Sequence, residues 1–170
     1  MKPYFLAGLL LTVLATPAAR AADGVELTTR VSGVVDTVLV KRGQQVKKGA
    51  VLLRLDDVVL RARVDEASAE LARAEADAAE ARRDFDRAQE LYTRTVSSTS
   101  ELDLATTRQA RAQAAVSAAR ARLDIARKNL ADAELKAPFD ARVVAVPGMP
   151  GTVVAADCQP RSLVVLSPLQ

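Results

Sequence analysis

No glycine or proline occurs between Gly49 and Pro138, and this gap constrains the fold more than any other feature of the sequence. Glycine and proline are the strongest helix interrupters, so their absence over such a long stretch predicts helix. Both flanks, in contrast, carry short β-branched runs separated by glycine and proline, a pattern typical of strands and turns. We therefore expect an α+β chain whose helical middle separates two β segments.

Apolar residues in the helical stretch recur at alternating steps of four and three. The first run consists of Leu60, Val64, Ala67, Leu71, Ala74, Ala78, Ala81, Phe85, Ala88 and Tyr92. The second run consists of Leu102, Ala105, Gln109, Ala112, Val116, Ala119, Leu123, Ala126, Leu130 and Ala133. This heptad seam is the signature of left-handed supercoiled helices, and its many alanines allow two helices to approach closely.

A polar segment from Thr93 to Ser100 interrupts the seam near its midpoint. Its hydroxyl and β-branched residues are poor helix formers, and Ser98 with Glu101 fits a capping box. The pattern predicts one helix that ends near Arg94 and a second that begins at Ser98, each arm being ~36 residues or ~54 Å long. A parallel dimer of one long helix is the alternative, but the central break and the matched arms favour an antiparallel hairpin over residues 57–134.

The two β segments, residues 24–56 and 135–166, resemble each other. A shift of 108 positions places Gly33 on Ala141, Val35 on Val143, Val38 on Val146, Gly43 on Gly151, Val46 on Val154 and Leu55 on Leu163. Neither segment has enough strands or apolar area to be stable alone. We therefore expect both to form one small β-sandwich or barrel, interrupted by the hairpin and followed by a short C-terminal stub at residues 167–170.

The first 21 residues are predicted to be a cleavable export signal. Lys2 precedes a short apolar stretch from Tyr4 to Leu14, and Ala19-Arg-Ala21 fits a cleavage site. An uncleaved anchor is the alternative, although a bilayer span needs ~20 apolar residues. Removal of Lys2 and Arg20 lowers the formal net charge from +3 to +1, which argues against nucleic acid as a partner.

The composition argues against an enzyme. The chain has no His and one Cys, so a nucleophile lacks its commonest base and zinc lacks its commonest nitrogen ligand. We expect no catalytic residue and no metal ligand.

Short motifs flank the hairpin on both sides. The first β segment contains Val31-Ser-Gly-Val-Val, Gly43-Gln-Gln-Val46-Lys-Lys-Gly49 and Leu52-Leu-Arg-Leu-Asp56. The second contains Leu135-Lys-Ala-Pro-Phe-Asp140 and Gly151-Thr-Val-Val154. Together they resemble the two halves of the biotinyl/lipoyl-like domain in a known family, the periplasmic adaptor (membrane fusion) proteins of the HlyD and RND-efflux type. The resemblance implies a lipoyl-like β module and a periplasmic adaptor that associates with neighbouring adaptors. It also implies partnership with an inner-membrane transporter and a TolC-like outer-membrane channel.

The hairpin tip carries a second resemblance. Adaptors that dock on such channels share an Arg-x3-Leu-x6-Ser pattern, which Arg87, Leu91 and Ser98 match in this sequence. An arginine fork can donate to the partner's oxygens, and a leucine supplies apolar contact. The bland alternative is that Leu91 only seals the coil and Ser98 only caps a helix.

The sequence departs from the family in two places. Ala141 stands where the family usually has glycine, so we expect a strained or reshaped turn there. Relatives continue into a barrel domain and a membrane-proximal domain, whereas this sequence stops at Gln170. We therefore expect a fragment or a reduced adaptor, for which the transporter is the least supported partner. The hairpin replaces the turn that carries the modified lysine in true lipoyl domains, and Lys41, Lys47 and Lys48 lie elsewhere, so no covalent cofactor is expected.

Two other functions compete with the adaptor. A periplasmic coiled-coil scaffold without a transport role would need the rod but not the tip. A lipoyl carrier of an acyl-transfer system conflicts with both the export signal and the occupied turn.

Overall fold

The computed structural model describes residues 24–95, 98–156 and 161–169, and the predicted export signal lies outside them. Two long helices, α1 (Val58–Thr93) and α2 (Thr99–Ala131), form an antiparallel hairpin that interrupts a small β module. The predicted α+β fold class, with a β-sandwich built from two sequence halves around a coiled-coil hairpin, is confirmed. Within the described residues, neither helix combines the length and the apolar character that a bilayer span requires.

The β module contains eight described strands in two four-stranded antiparallel sheets. The strands are β1 (Val25–Leu27), β2 (Gly33–Val38), β3 (Gln45–Val46), β4 (Val51–Leu55), β5 (Glu134–Lys136), β6 (Ala141–Ala145), β7 (Val153–Val154) and β8 (Val164–Pro168). One sheet has the order β1-β8-β6-β3 and the other has the order β5-β4-β2-β7. Each sheet therefore combines strands from both sides of the hairpin.

The internal repeat appears in the structure as an approximate two-fold relation. Exchanging β1 with β5, β2 with β6, β3 with β7 and β4 with β8 converts one sheet order into the other. The hydrogen bonds follow the same exchange: Gly43 N donates to Val143 O and Gly151 N donates to Val35 O, both at 2.8 Å. Gly43 and Gly151 both have φ of 85°, a left-handed conformation that suits glycine. The halves are thus interlocked, and each completes the other.

Large apolar side chains from both halves fill one core. The fully buried ones are Leu52, Leu53, Leu163, Leu166, Val35, Val143, Val154 and Val164. Leu60 of α1 and Ala133, next to the end of α2, belong to the same cluster, so the hairpin root is packed into the module. Burial of this kind is the main favourable term available to a module with such short strands.

Two details differ from the expectations. Ala141 causes no strained turn, because it is a fully buried residue of β6 without a positive φ. Its repeat equivalent Gly33 also lacks a positive φ, and a Cβ there would meet Leu55 Cδ1 at an ordinary 3.5 Å, so neither position requires glycine. The first two residues of the predicted C-terminal stub belong to a strand, since Ser167 and Pro168 are the last residues of β8 and pair with β6.

The hairpin seam follows the heptad pattern. All the seam positions are buried or half-buried, including Gln109, except Tyr92, which is 43% exposed at the distal end of α1. At mid-hairpin, Ala74, Val116 and Ala119 form a buried cluster, where the small side chains permit close packing. Charged side chains line the seam from outside: Arg122 Nη1 lies 2.7 Å from Glu70 Oε1, and Arg120 pairs with Glu75. These pairs link α2 to α1, but because they are exposed, each adds little to the free energy of unfolding.

An ionic cluster surrounds the hairpin root. Glu134 of β5 accepts from Arg54 Nε of β4 at 3.0 Å and lies 3.0 Å from Lys136 Nζ. The pKa of Glu134 lies below its usual value, chiefly because Lys136 donates a hydrogen bond to the carboxylate. Partial desolvation acts in the opposite direction and raises this pKa. Asp57, which precedes α1, accepts from Arg61 at 2.7 Å, and this bond lowers the pKa of Asp57. Charge therefore joins β4 to β5 and stabilises the first turn of α1, while packing of Leu60 joins the helix to the strands.

Candidate docking site at the hairpin tip

The tip is built by two helix ends whose local sequences stop and restart the helix. At the end of α1, Thr93 Oγ1 donates to Glu90 O at 2.8 Å, and Thr95 has φ of 62°. A positive φ is a genuine outlier for a β-branched residue. At the start of α2, Ser98 Oγ accepts from Glu101 N at 3.4 Å, so Ser98 is the N-cap that the sequence indicates. The sequence places the end of α1 near Arg94 and the start of α2 at Ser98, and these two residues are the C-cap of α1 and the N-cap of α2 in the structure.

Arg87 and Leu91 lie one helical turn apart on α1, and both face solvent. The Arg87 side chain is 71% exposed and its only described ion pair is a loose one, with Nη1 3.6 Å from Asp84 Oδ1. Leu91 is 40% exposed although it is a large apolar residue. The structure therefore places a guanidinium and a leucine on the same surface near the tip.

Both residues line one cleft of about 470 Å³ between the helices. Four residues of α1 and four of α2 form it: Asp84, Arg87, Ala88, Leu91, Glu101, Leu104, Ala105 and Arg108. The seam alanines Ala88 and Ala105 have the smallest side chains in the lining, and the longer charged and leucine side chains form the rest of it. With two carboxylates and two guanidiniums, the cleft is formally neutral and chemically amphipathic, which suits a protein segment better than a small ion.

Ser98 does not line this cleft. Its side chain caps α2, so the structure brings Arg87 and Leu91 together and assigns Ser98 a structural position beside them.

Sequence reasoning missed Leu104 and Arg108, which enter the cleft from α2. Leu104 is 55% exposed and lies off the seam, next to Ala105, which is on it. The available signal was a leucine outside the heptad positions close to the break, with an arginine four residues later. Recognising it as part of a site required knowing which residues of α1 face it.

The lysines of the first β segment, Lys41, Lys47 and Lys48, are exposed. Within the described ranges, no group of three or more His, Cys, Asp or Glu side chains is positioned to hold a metal ion.

Comparison with known proteins identifies relatives of the hairpin and of the module. Residues 63–133 match the family model described as RND MFP, alpha-helical hairpin domain. The efflux pump periplasmic linker BepF of Brucella suis is 34% identical over 145 residues, which cover 85% of this chain and 35% of BepF. The multidrug efflux pump subunit AcrA of Escherichia coli is 33% identical over 118 residues, covering 69% of this chain and 30% of AcrA. The chain thus spans about a third of the length of these relatives.

A solved structure shows the same arrangement of hairpin and module. It is a MacA-MexA chimeric protein that contains the Pseudomonas aeruginosa MexA alpha-hairpin domain. The similarity has a TM-score of 0.66 at 27% identity and covers 86% of this chain and 47% of that chain. BepF and AcrA are named as a linker and a subunit of efflux pumps and not as enzymes, in agreement with the expectation from composition. The chain therefore belongs to the membrane fusion, or periplasmic adaptor, proteins with an RND-type α-helical hairpin.

Proposed function

We propose that this chain acts as an adaptor in a tripartite efflux or secretion system, where the hairpin tip docks on a TolC-like outer-membrane channel and so supports transmembrane transport. The observation that carries the proposal is the exposed pair Arg87 and Leu91, one helical turn apart beside the hairpin turn. The proposal includes export to the periplasm by the signal at residues 1–21, contact with neighbouring adaptors through the β module at the base, and an inner-membrane transporter as the third component.

The hairpin has the mechanical properties that this role requires. Helix α1 has 36 residues, which corresponds to ~54 Å, and a continuous seam joins it to α2. Because its root shares the core of the β module, the hairpin can hold the tip at a fixed distance from the base. A rod with a recognition surface at its far end suits a link between two separated partners.

Chemistry at the tip also favours a protein partner. Arginine offers five N–H donors in a planar fork and no acceptor, so it pairs best with carboxylates or carbonyls. The pairing of Arg87 with Asp84 is long and exposed, which leaves most of its donors available. Leu91 adds apolar area that is hidden from water only when a partner covers it.

The test compares binding of tip variants to the purified TolC-type channel of the same organism. Arg87→Glu should weaken crosslinking and association at least about tenfold, since a donor is replaced by an unpaired acid at the contact. Its helix content and thermal midpoint should stay close to wild type because Arg87 is exposed. Arg73→Glu, an exposed arginine of α1 far from the tip, is the matched control and should bind normally.

Two further variants separate docking from folding. Leu91→Asp should also weaken binding, and its thermal midpoint must be measured beside the binding curve because the end of α1 can fray. Ser98→Ala should cost about 1 kcal/mol of helix stability through loss of the N-cap. If folded Arg87→Glu binds the channel and restores drug efflux in an adaptor-deficient host as wild type does, the periplasmic scaffold becomes the better function.

A further inference from the structure

Helix α2 presents the same two side-chain types to the tip cleft as α1. On α1 the chain runs towards the tip, so Leu91 lies one turn nearer the tip than Arg87. On α2 the chain runs away from the tip, so Leu104 lies one turn nearer the tip than Arg108. Both pairs line the same cleft. Each helix therefore contributes a leucine towards the tip and an arginine one turn deeper.

The α2 pair is not needed for the hairpin itself. Seam packing in this part of α2 comes from Leu102, which is half-buried, and from Ala105, which is buried, whereas Leu104 is 55% exposed. Arg108 is exposed and forms no ion pair with any residue that the structure describes. A single exposed leucine means little. Two exposed leucines and two weakly engaged arginines in one cleft indicate a contact surface.

We propose that Leu104 and Arg108 form the second half of the docking surface, so that the partner contacts both helices and not α1 alone. This inference rests on the proposed docking function and extends it to α2. The leucines cover an apolar side chain of the partner, and the two guanidiniums bind acceptors on either side of it.

The charges of the cleft define the occupant. Arg87 and Arg108 bring donors only, so they select oxygen acceptors on the partner, while Asp84 and Glu101 line the same cleft and keep it formally neutral. A helix end supplies such acceptors well, because its last carbonyls are unpaired and carry the negative end of the helix dipole. The occupant that fits is a helix C-terminus of the channel whose last turn bears a carboxylate and an apolar side chain.

The experiment measures the dissociation constant of the full chain for the detergent-purified TolC-type channel of the same organism. Arg108→Glu should raise the dissociation constant by a factor comparable to that for Arg87→Glu, about tenfold or more, and the two together should exceed either alone. Leu104→Ser should also weaken binding. Arg127→Glu and Ile125→Ser, both exposed on α2 away from the tip, are the controls and should bind within about twofold of wild type.

The outcomes separate this inference from the function on which it rests. If Arg87→Glu loses binding while Arg108→Glu and Leu104→Ser bind like the controls, the two-sided surface is refuted and the docking function stands. If wild type does not bind the channel, both fail. If the α2 variants instead abolish self-association of the protein alone, as measured by sedimentation, the occupant is a second copy of this chain and the inference is wrong. Restoration of Arg108→Glu binding by an acid-to-arginine change in the channel would identify the contacting carboxylate.

Discussion

Replacing Phe85 with alanine tests the heptad register of the distal hairpin. Apart from the exposed Tyr92 at its distal end, Phe85 is the largest residue of the seam, and it is half-buried. A fully buried phenylalanine costs ~3–5 kcal/mol when truncated to alanine, so partial exposure reduces the expectation to about 2 kcal/mol. The structure adds a contact that periodicity does not show, because the Arg82 guanidinium lies 5.7 Å from the centre of the Phe85 ring. Such an exposed cation–π contact is worth about 0.5–1 kcal/mol.

Arg82→Ala should therefore destabilise the hairpin by about 1 kcal/mol, since it also removes an exposed ion pair with Asp86. Asp86→Ala removes that pair and leaves the ring contact, so it is the control. Urea unfolding followed by far-UV circular dichroism gives the free energies, and a double-mutant cycle of Arg82 with Phe85 should show a coupling of about 0.5 kcal/mol. Equal losses from Phe85→Ala and Asp86→Ala would show that Phe85 is not on the seam.

Two other predictions concern the base. Leu52→Ala should destabilise the β module by about 3 kcal/mol, because Leu52 is fully buried in the core that both β segments share. Protection of backbone amides from hydrogen exchange should fall in both segments. A loss of protection confined to residues 24–56 would contradict a common module. The pKa of Glu134 is lowered, mainly by Lys136, so its contribution to stability is fully present above the ordinary glutamate pKa of about 4.3 and is lost as the pH falls through the lowered value. Glu134→Gln should accordingly flatten the acid side of the stability profile measured by urea unfolding, and an unchanged profile would show that the ionic cluster does not secure the root.

Local features of the fold were predictable from the sequence. Heptad spacing, the N-cap at Ser98 and the turn glycines act over a few residues, so their physical requirements are visible in the order of the residues. The repeat likewise indicated that the two β segments pair. It did not indicate that each sheet would take strands from both segments, since hydrogen-bond partners are decided by the tertiary arrangement.

The candidate site was predictable only in part. Arg87 and Leu91 were identified because their spacing resembles that of adaptors that dock on outer-membrane channels, and the structure places both on one exposed surface. Leu104 and Arg108 were not identified from the sequence, because their proximity to Arg87 and Leu91 depends on the register between the two helices. The heptad pattern alone does not determine that register, since it permits shifts by whole turns. Ala141 was misjudged because a residue aligned with glycine was assumed to need glycine's conformational freedom, whereas its strand geometry requires none.

The heptad repeat of the uninterrupted hairpin arms allows their length to change while the module at the root stays the same. Inserting one heptad into each arm would move the tip outward by ~10 Å and keep the same residues on the seam, since seven residues return the side chain to nearly the same face. Inserting a single residue into one arm would rotate everything beyond it by about 100° and break the seam. Distance in such a rod is therefore adjustable only in steps, which lets lineages or protein engineers fit one base to partners at different separations.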